Sequence, residues 1–289
     1  MKHIILWQTS IAAVLFFSGC SLDERIPAEM TRMDQSRPIA KESSLQAEVS
    51  LDIGSIEISG GSLQQVYSFD LEYDKAAYEP QVSYDADSGN TGRFSLKLES
   101  SHHRGIRTER ENNRLHLNLT DTLPVSLHIN SGVGDARLAL SRLHLSSLDL
   151  ESGVGGAKIS SYEANPTVCD LIRLRSGVGS MDAVGLGNLN FRRLEFEGGV
   201  GGANLDFSGE WKQDAEVRIE VGVGGVTIRM PRDVGVRVSA EKHFLSGLQL
   251  DGFHKEAGED YYSANYSKAK VKVSVSVKTG VGGFRISWL

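Results

Sequence analysis

Cysteine is almost absent from this chain, with two in 289 residues, Cys20 and Cys169. A disulfide framework is therefore excluded, and a good core or a repetitive ladder must hold the fold instead. Proline is scarce at six, and aromatic residues make up 7% of the chain. Basic charge is not in excess either. Lys and Arg number 31 against 37 Asp and Glu, a formal charge of −6. That balance argues against a nucleic-acid binder, which carries a basic face. Missing too are a Ser/His/Asp elbow, G-x-S-x-G, H-E-x-x-H and C-x-x-C, so no hydrolase or zinc signature is written locally. What is abundant is glycine, 31 residues, and β-branched residues in alternating runs. The composition reads as a folded β-rich protein.

The N-terminus is a separate object. Lys2 precedes an uncharged apolar stretch, ILWQTSIAAVLFF at 5–17, which is a secretory signal core rather than a membrane span. FSGC at 17–20 resembles the bacterial lipoprotein box, with Phe17 where that box usually has a Leu-like residue. The resemblance implies cleavage of residues 1–19, a diacylglycerol on the Cys20 sulfur and acylation of the new amine. Removing Lys2 leaves 30 Lys and Arg against 37 Asp and Glu, net −7. Acyl chains at about 0.8 kcal/mol per buried methylene would hold the chain on a bilayer. Ser21, rather than Asp, after Cys20 resembles outer-membrane sorting, so the expected location is the envelope, at the periplasmic face of the outer membrane or the cell surface. Residues 20–45 carry few large apolar residues and mixed charge, and are expected to be a flexible tether.

Residues 46–120 alternate in period 2, as in VSLDIGSIEIS (49–59), YSFDLEY (67–73), RFSLKLES (93–100) and RLHLNL (114–119). They predict an N-terminal β region that caps the rest of the chain. YDADSGNTG (84–92) predicts a hairpin tip. Over 121–289 one motif recurs: Gly132-Val133-Gly134, Gly153-Val154-Gly155, Gly177-Val178-Gly179, Gly199-Val200-Gly201, Gly222-Val223-Gly224 and Gly280-Val281-Gly282. The steps are 21, 24, 22, 23 and 58 residues, and alternating runs flank each copy. DIGSIEIS (52–59) reads as a degenerate earlier copy, and DVGVRVS (233–239) as the start of a less regular coil. Such self-similarity is the signature of a repeat architecture.

The predicted unit is strand, GVG corner, strand, loop, stacked at about 4.8 Å. Glycine opens backbone conformations closed to other residues and lets one corner sit on the next. Continued alternation places Val133, Val154, Val178, Val200, Val223 and Val281 in a buried ladder. Leu127/Ile129, Leu148/Leu150, Ile172/Leu174, Leu194/Phe196 and Val217/Ile219 extend that core, with His128, Asp149, Arg173 and Glu195 facing out. A long insertion is expected at about 240–270. The fold class predicted is all-β, a β-solenoid-like stack of two-strand coils with GVG corners.

The alternating strands, the repeated SGVG(D/G), the internal MPRDVGVRV and the terminal VKVSVSVKTGVGGFRI together resemble the toast-rack β-solenoid domains of bacterial envelope proteins. They are similar to the soluble domain of cell-wall-active-antibiotic response proteins and to adhesin-type β-solenoid domains, over roughly 46–289. The resemblance implies the right-handed solenoid and a membrane-associated role, and brings no catalytic residues. In the antibiotic-response relatives the domain follows transmembrane helices, whereas a lipoprotein signal stands here.

Several constellations compete with a purely architectural reading. A nucleotide-binding GVG needs a helix after the corner, but the residues after each corner alternate in period 2. A calcium ladder needs an acid in each turn, and only Asp135 fills that slot. His102 and His103, with His116 nearby, suggest a metal, without a supporting spacing. Arg93, Arg104, Arg107, Arg110 and Arg114 suggest a contact with anionic lipid or polysaccharide, diluted by Glu109 and Glu111. Tyr261, Tyr262 and Tyr266 suit sugar stacking or, more simply, packing of the insertion. Asn118-Leu119-Thr120 reads as strand sequence rather than a glycosylation acceptor.

The function predicted is a non-enzymatic, lipid-anchored envelope protein presenting a solenoid surface to a protein or glycan, in adhesion, assembly or envelope-stress response. No cofactor, nucleotide or nucleic acid is expected. The alternative is a solenoid carbohydrate-active enzyme using surface carboxylates, although no recurrent acidic column favours it. Two or three carboxylates roughly 5–10 Å apart in a concave face would point to that enzyme.

Overall fold

The computed structural model describes residues 28–61, 64–86, 89–101, 113–240, 247–256 and 260–289. Its strands in chain order begin with β1 (Met30–Pro38), β2 (Ser44–Ile53), β3 (Ser55–Gly60), β4 (Gln65–Asp74), β5 (Tyr78–Ala86), β6 (Thr91–Ser100) and β7 (Arg114–Leu119). The middle holds β8 (Pro124–Val133), β9 (Ala136–Ala139), β10 (His144–Ser160), β11 (Cys169–Val184), β12 (Phe191–Asp206) and β13 (Ala215–Met230). The end holds β14 (Gly235–Ala240), β15 (Gly247–Leu250), β16 (Phe253–Lys255), β17 (Asp260–Ser263) and β18 (Lys272–Trp288). The architecture is all-β and solenoid-like, as the repeats predict.

Coils stack in parallel in the order β6/β7, β2/β3, β8/β9, β10, β11, β12, β13, β18 and β14/β15. From β10 to β13, and again in β18, one strand runs unbroken through the GVG corner and serves both sheets. Register is kept letter for letter: Val154 faces Val178, Val178 faces Val200, Val200 faces Val223 and Val223 faces Val281. Ile53 of DIGSIEIS faces Val133, so the degenerate copy is a true coil. DVGVRVS likewise opens the last coil, as β14.

Both ends use the same device. The last strand, β18, slots between β13 and β14, and the early coil β2/β3 lies inside β6/β7. Antiparallel pieces then cover the ends: β4 and β1 on one sheet, β5 on the other, and β17 with β16 beyond β14. The outer edges of β6, β7 and β14 are thereby paired rather than left as open templates, while β15 pairs only with β18 among the described residues.

The core between the sheets contains all five predicted pairs, Leu127/Ile129, Leu148/Leu150, Ile172/Leu174, Leu194/Phe196 and Val217/Ile219. Two expectations are corrected. Residues 30–38 are a strand, not a tether. Their sequence, MTRMDQSRP, is polar, but β1 pairs with β4 through its backbone, which needs no apolar side chains. Arg37 stacks 4.0 Å over the Tyr84 ring and Arg32 pairs with Asp70.

The second correction concerns the valines. Val133 is 46% exposed and Val281 63%, with Val154, Val178, Val200 and Val223 between. The ladder is on the surface. Alternation does not survive the corner, because the second glycine of each motif takes a positive φ, +144° at Gly134 and +145° at Gly201. The inward place at the corner goes to the residue two before the valine: Ser131, Ser152, Val221 and Thr279 are buried there. Burial resumes in the opposite parity at Ala136, Ala157, Met181, Ala203, Val226 and Phe284.

The insertion also departs from a simple surface loop, since β14 and β15 complete a coil and β16–β17 pair onto it. Tyr262 and Tyr266 meet edge to face at 5.0 Å, and Lys272 lies 5.5 Å over Tyr266. These tyrosines pack the insertion.

Candidate functional site

Each GVG corner needs its glycines for a reason visible in the neighbouring coil. A Cβ at Gly153 would lie 2.5 Å from the Gly132 carbonyl oxygen, and one at Gly155 would overlap the Gly134 carbonyl. Side chains at these positions would point along the stack into the next backbone. Only the valine between them has free space, and it points outward. Six coils thus build a valine ridge with a side-chain-free gutter on either side. At about 4.8 Å per coil, the ridge from Val133 to Val281 is roughly 24 Å long. Of the ten large hydrophobic residues exposed among the described residues, six are these valines, so the ridge is the main apolar feature of the surface.

On one side the gutter widens into a groove of about 690 Å³. Its floor is Gly153, Gly177, Gly199, Gly222 and Gly280, and its wall is Glu151, Arg175, Glu197, Glu220 and Lys278. These wall residues hold the position two before the first valine-flanking glycine, so they share one column in register. Arg175 reaches both Glu151 and Asp149 at 3.1 Å, and Glu220 is paired with Arg218. The column preceding the corner was therefore legible in sequence as E, R, E, E, K. The column is mixed in sign: Glu197 and Glu220 are register neighbours, and Arg175 and Lys278 stand in the same column.

The outer face beside the groove carries a second charged ladder. Asp149 accepts from Arg173 at 3.3 Å and lies 3.6 Å from His128, while Arg173 also reaches Glu195 at 3.2 Å. The four residues predicted to face outward do so, and Arg173 pairs with the carboxylates of both neighbouring coils.

The remaining sequence candidates do not converge on the groove. Cys20, His102, His103, Arg104, Arg107, Glu109, Arg110 and Glu111 lie outside the described residues. His116 Nδ1 is 3.2 Å from Glu57, and Arg93 donates to Gln46. Among the described residues no His, Cys, Asp or Glu group is arranged to hold a metal ion. Asp135 instead accepts the Gly156 N–H at 3.1 Å and lies 3.5 Å from Arg137. Asn118 accepts from the Ser59 hydroxyl within the strands. Cys169 is buried, and burial pushes its thiol up to about 12, which removes it as a nucleophile.

A polar hub organises the N-terminal end. Glu42 is buried and accepts from Tyr84 Oη and the Ala40 N–H at 2.6 Å, and from the Lys41 N–H at 3.0 Å. Burial alone would raise its carboxyl, but these donors outweigh burial and hold it down at about 2.

Comparison with known proteins places this geometry. The family model described as the N-terminal domain of toast_rack, DUF2154, matches residues 26–183 and 164–229. The overlap of the two matches is what a repeated coil produces. No curated protein matches the chain. Among solved structures, a candidate cell adhesion protein from Clostridium sporogenes is similar at 19% identity and TM-score 0.47, covering 90% of this chain and 100% of that one. A candidate adhesin from Bacteroides fragilis is similar at 14% identity and TM-score 0.38, covering 90% and 97%. A candidate lipid binding protein from Parabacteroides distasonis is similar at 11% identity and TM-score 0.34, covering 91% and 100%. The family model spans well over half of the sequence, and the chain belongs to the toast-rack family.

Proposed function

We propose that this chain is a non-enzymatic protein of the bacterial envelope, anchored by lipid on Cys20, whose ridge and gutter are a contact surface for another macromolecule, protein or glycan. The observation that carries the reading is the outward valine column. A repeat needs glycine at its corners for stacking, but stacking does not require a β-branched apolar residue in solvent on every coil. The test replaces Val178 and Val200 with Ser in a chain carrying Cys20→Ser, so that no lipid holds it. Retention on isolated envelopes should fall at least tenfold while the circular dichroism spectrum stays unchanged. Unchanged retention would sink the reading. Mass spectrometry of the mature N-terminus checks the anchor, and an unmodified Cys20 would remove it.

One observation favours the carbohydrate-active alternative: Glu197 and Glu220 stand on adjacent coils of the groove wall. A glycosidase, however, places its two carboxyl groups on opposite sides of the scissile bond. These two project from the same wall, and Glu220 is engaged by Arg218. Glu197→Gln separates the readings, since an enzyme would turn over oligosaccharide and lose that turnover with the substitution, whereas a contact surface shows no turnover before or after it.

A further inference from the structure

Resting on that reading of the ridge, we propose that its partner is a second copy of this chain, docked ridge to ridge with the two stacks antiparallel. A two-fold axis lying in the contact plane and perpendicular to the stack returns each column onto itself and reverses the order of coils. Valine then meets valine, and the charged wall meets the charged wall. The sequence of that wall decides the register. Its order along the stack is Asn130, Glu151, Arg175, Glu197, Glu220, Lys278.

With the axis through the β12 coil, Glu151 faces the partner's Lys278 and Arg175 faces the partner's Glu220. Each of these contacts occurs twice by symmetry. Only Glu197 meets its own copy. A slip of one coil in one direction sets Arg175 against the partner's Glu197 but also Glu151 against the partner's Glu220. A slip in the other direction sets Arg175 against the partner's Lys278 and Glu197 against the partner's Glu220. The central register has four opposite-charge contacts against the single Glu197 pair, whereas both slips create like-charge contacts in symmetric pairs with fewer opposite-charge ones, so the central register is selected electrostatically. In it Val200 faces the partner's Val200, Val178 the partner's Val223 and Val154 the partner's Val281.

The size of the surface sets the strength. Five coils by the width from wall to gutter cover roughly 300 Å² per copy, against about 800 Å² per partner in a stable interface. The dimer is therefore weak in dilute solution and forms where copies are concentrated, as on a membrane surface.

The experiment is oxidative cross-linking of the full chain in membranes. Val200→Cys, on the axis, should give a covalent dimer. Val133→Cys, whose position faces the far end of the partner's stack, should give at least tenfold less. Lys278→Glu should cut the Val200→Cys dimer at least tenfold, and adding Glu151→Lys should restore it. The unsubstituted chain controls for Cys20 and Cys169. Equal cross-linking at Val133→Cys and Val200→Cys, no dimer at Val200→Cys, or indifference to Lys278→Glu would each overturn the pairing. If the dimer is absent but serine substitutions on the ridge still release the Cys20→Ser chain from envelopes, the partner is a different molecule and the contact surface stands. If serine substitutions also have no effect, the contact reading fails as well.

Discussion

The central coils and the N-terminal cap are held by different means. From β10 to β13 every coil repeats the same places: an inward pair before the corner, two glycines, an outward valine and an inward residue after it. The strands pair only with those of the neighbouring coils, so stability there is close to a sum of similar interfaces. The cap has no such period. It depends on single residues: Phe94 stacks on Tyr67 at 4.1 Å and lies 6.1 Å from Phe69, and Glu42 ties Tyr84 to the backbone at Ala40 and Lys41. The difference teaches that a repeat makes its middle robust through regular geometry, while its end must be closed by particular side chains.

The comparison can be broken most severely in the middle. Gly201→Ala would put a Cβ into the Gly179 carbonyl at a φ of +145°. The two coils must part, so the expected loss exceeds about 4 kcal/mol or the chain fails to fold. Urea unfolding followed by circular dichroism measures it. At the cap, Phe94→Ala removes a fully buried ring and should cost about 3–5 kcal/mol. Hydrogen exchange should show the loss concentrated in β4 to β7 while β11 and β12 keep their protection.

A smaller effect sharpens the contrast by pH. Glu42 has its carboxyl lowered from 4.5 to about 2 in the folded chain. A depressed folded value means that the ionised form is favoured by folding. Its contribution is full above about pH 4.5 and is lost as pH falls toward 2. Glu42→Gln should remove about 1–3 kcal/mol at neutral pH and flatten the acid limb of the stability curve. A variant with an unchanged acid limb would show that Glu42 is not the hub of the cap.

The same contrast explains what the sequence made legible. The β class, the stacking and the core pairs at Leu148/Leu150 and Ile172/Leu174 follow from period and alternation. The valine column does not, because alternation assumes a continuous strand, whereas a positive-φ glycine resets the parity. The second glycine of every copy was the signal that alternation could not be carried through. The strand at 30–38 was hidden for another reason, as backbone pairing leaves no apolar trace. The groove wall was written one residue before each core-facing Ser, Gly, Val or Thr, at Glu151, Arg175, Glu197, Glu220 and Lys278. It becomes visible only when coils are aligned in register, since no two of its members are close in sequence.

The central claim is that the GVG motif turns its valine outward as a surface and leaves the core to its neighbours. Thiol labelling tests it directly, in a chain carrying Cys20→Ser and Val200→Cys and held at nanomolar concentration so that copies stay apart. The account predicts that the thiol at position 200 reacts with a maleimide within a few-fold of a free thiol. Cys169, buried in the same molecule, should stay unmodified until denaturant unfolds the chain. Protection of position 200 to the same degree as Cys169 would return the valines to the core and contradict the account.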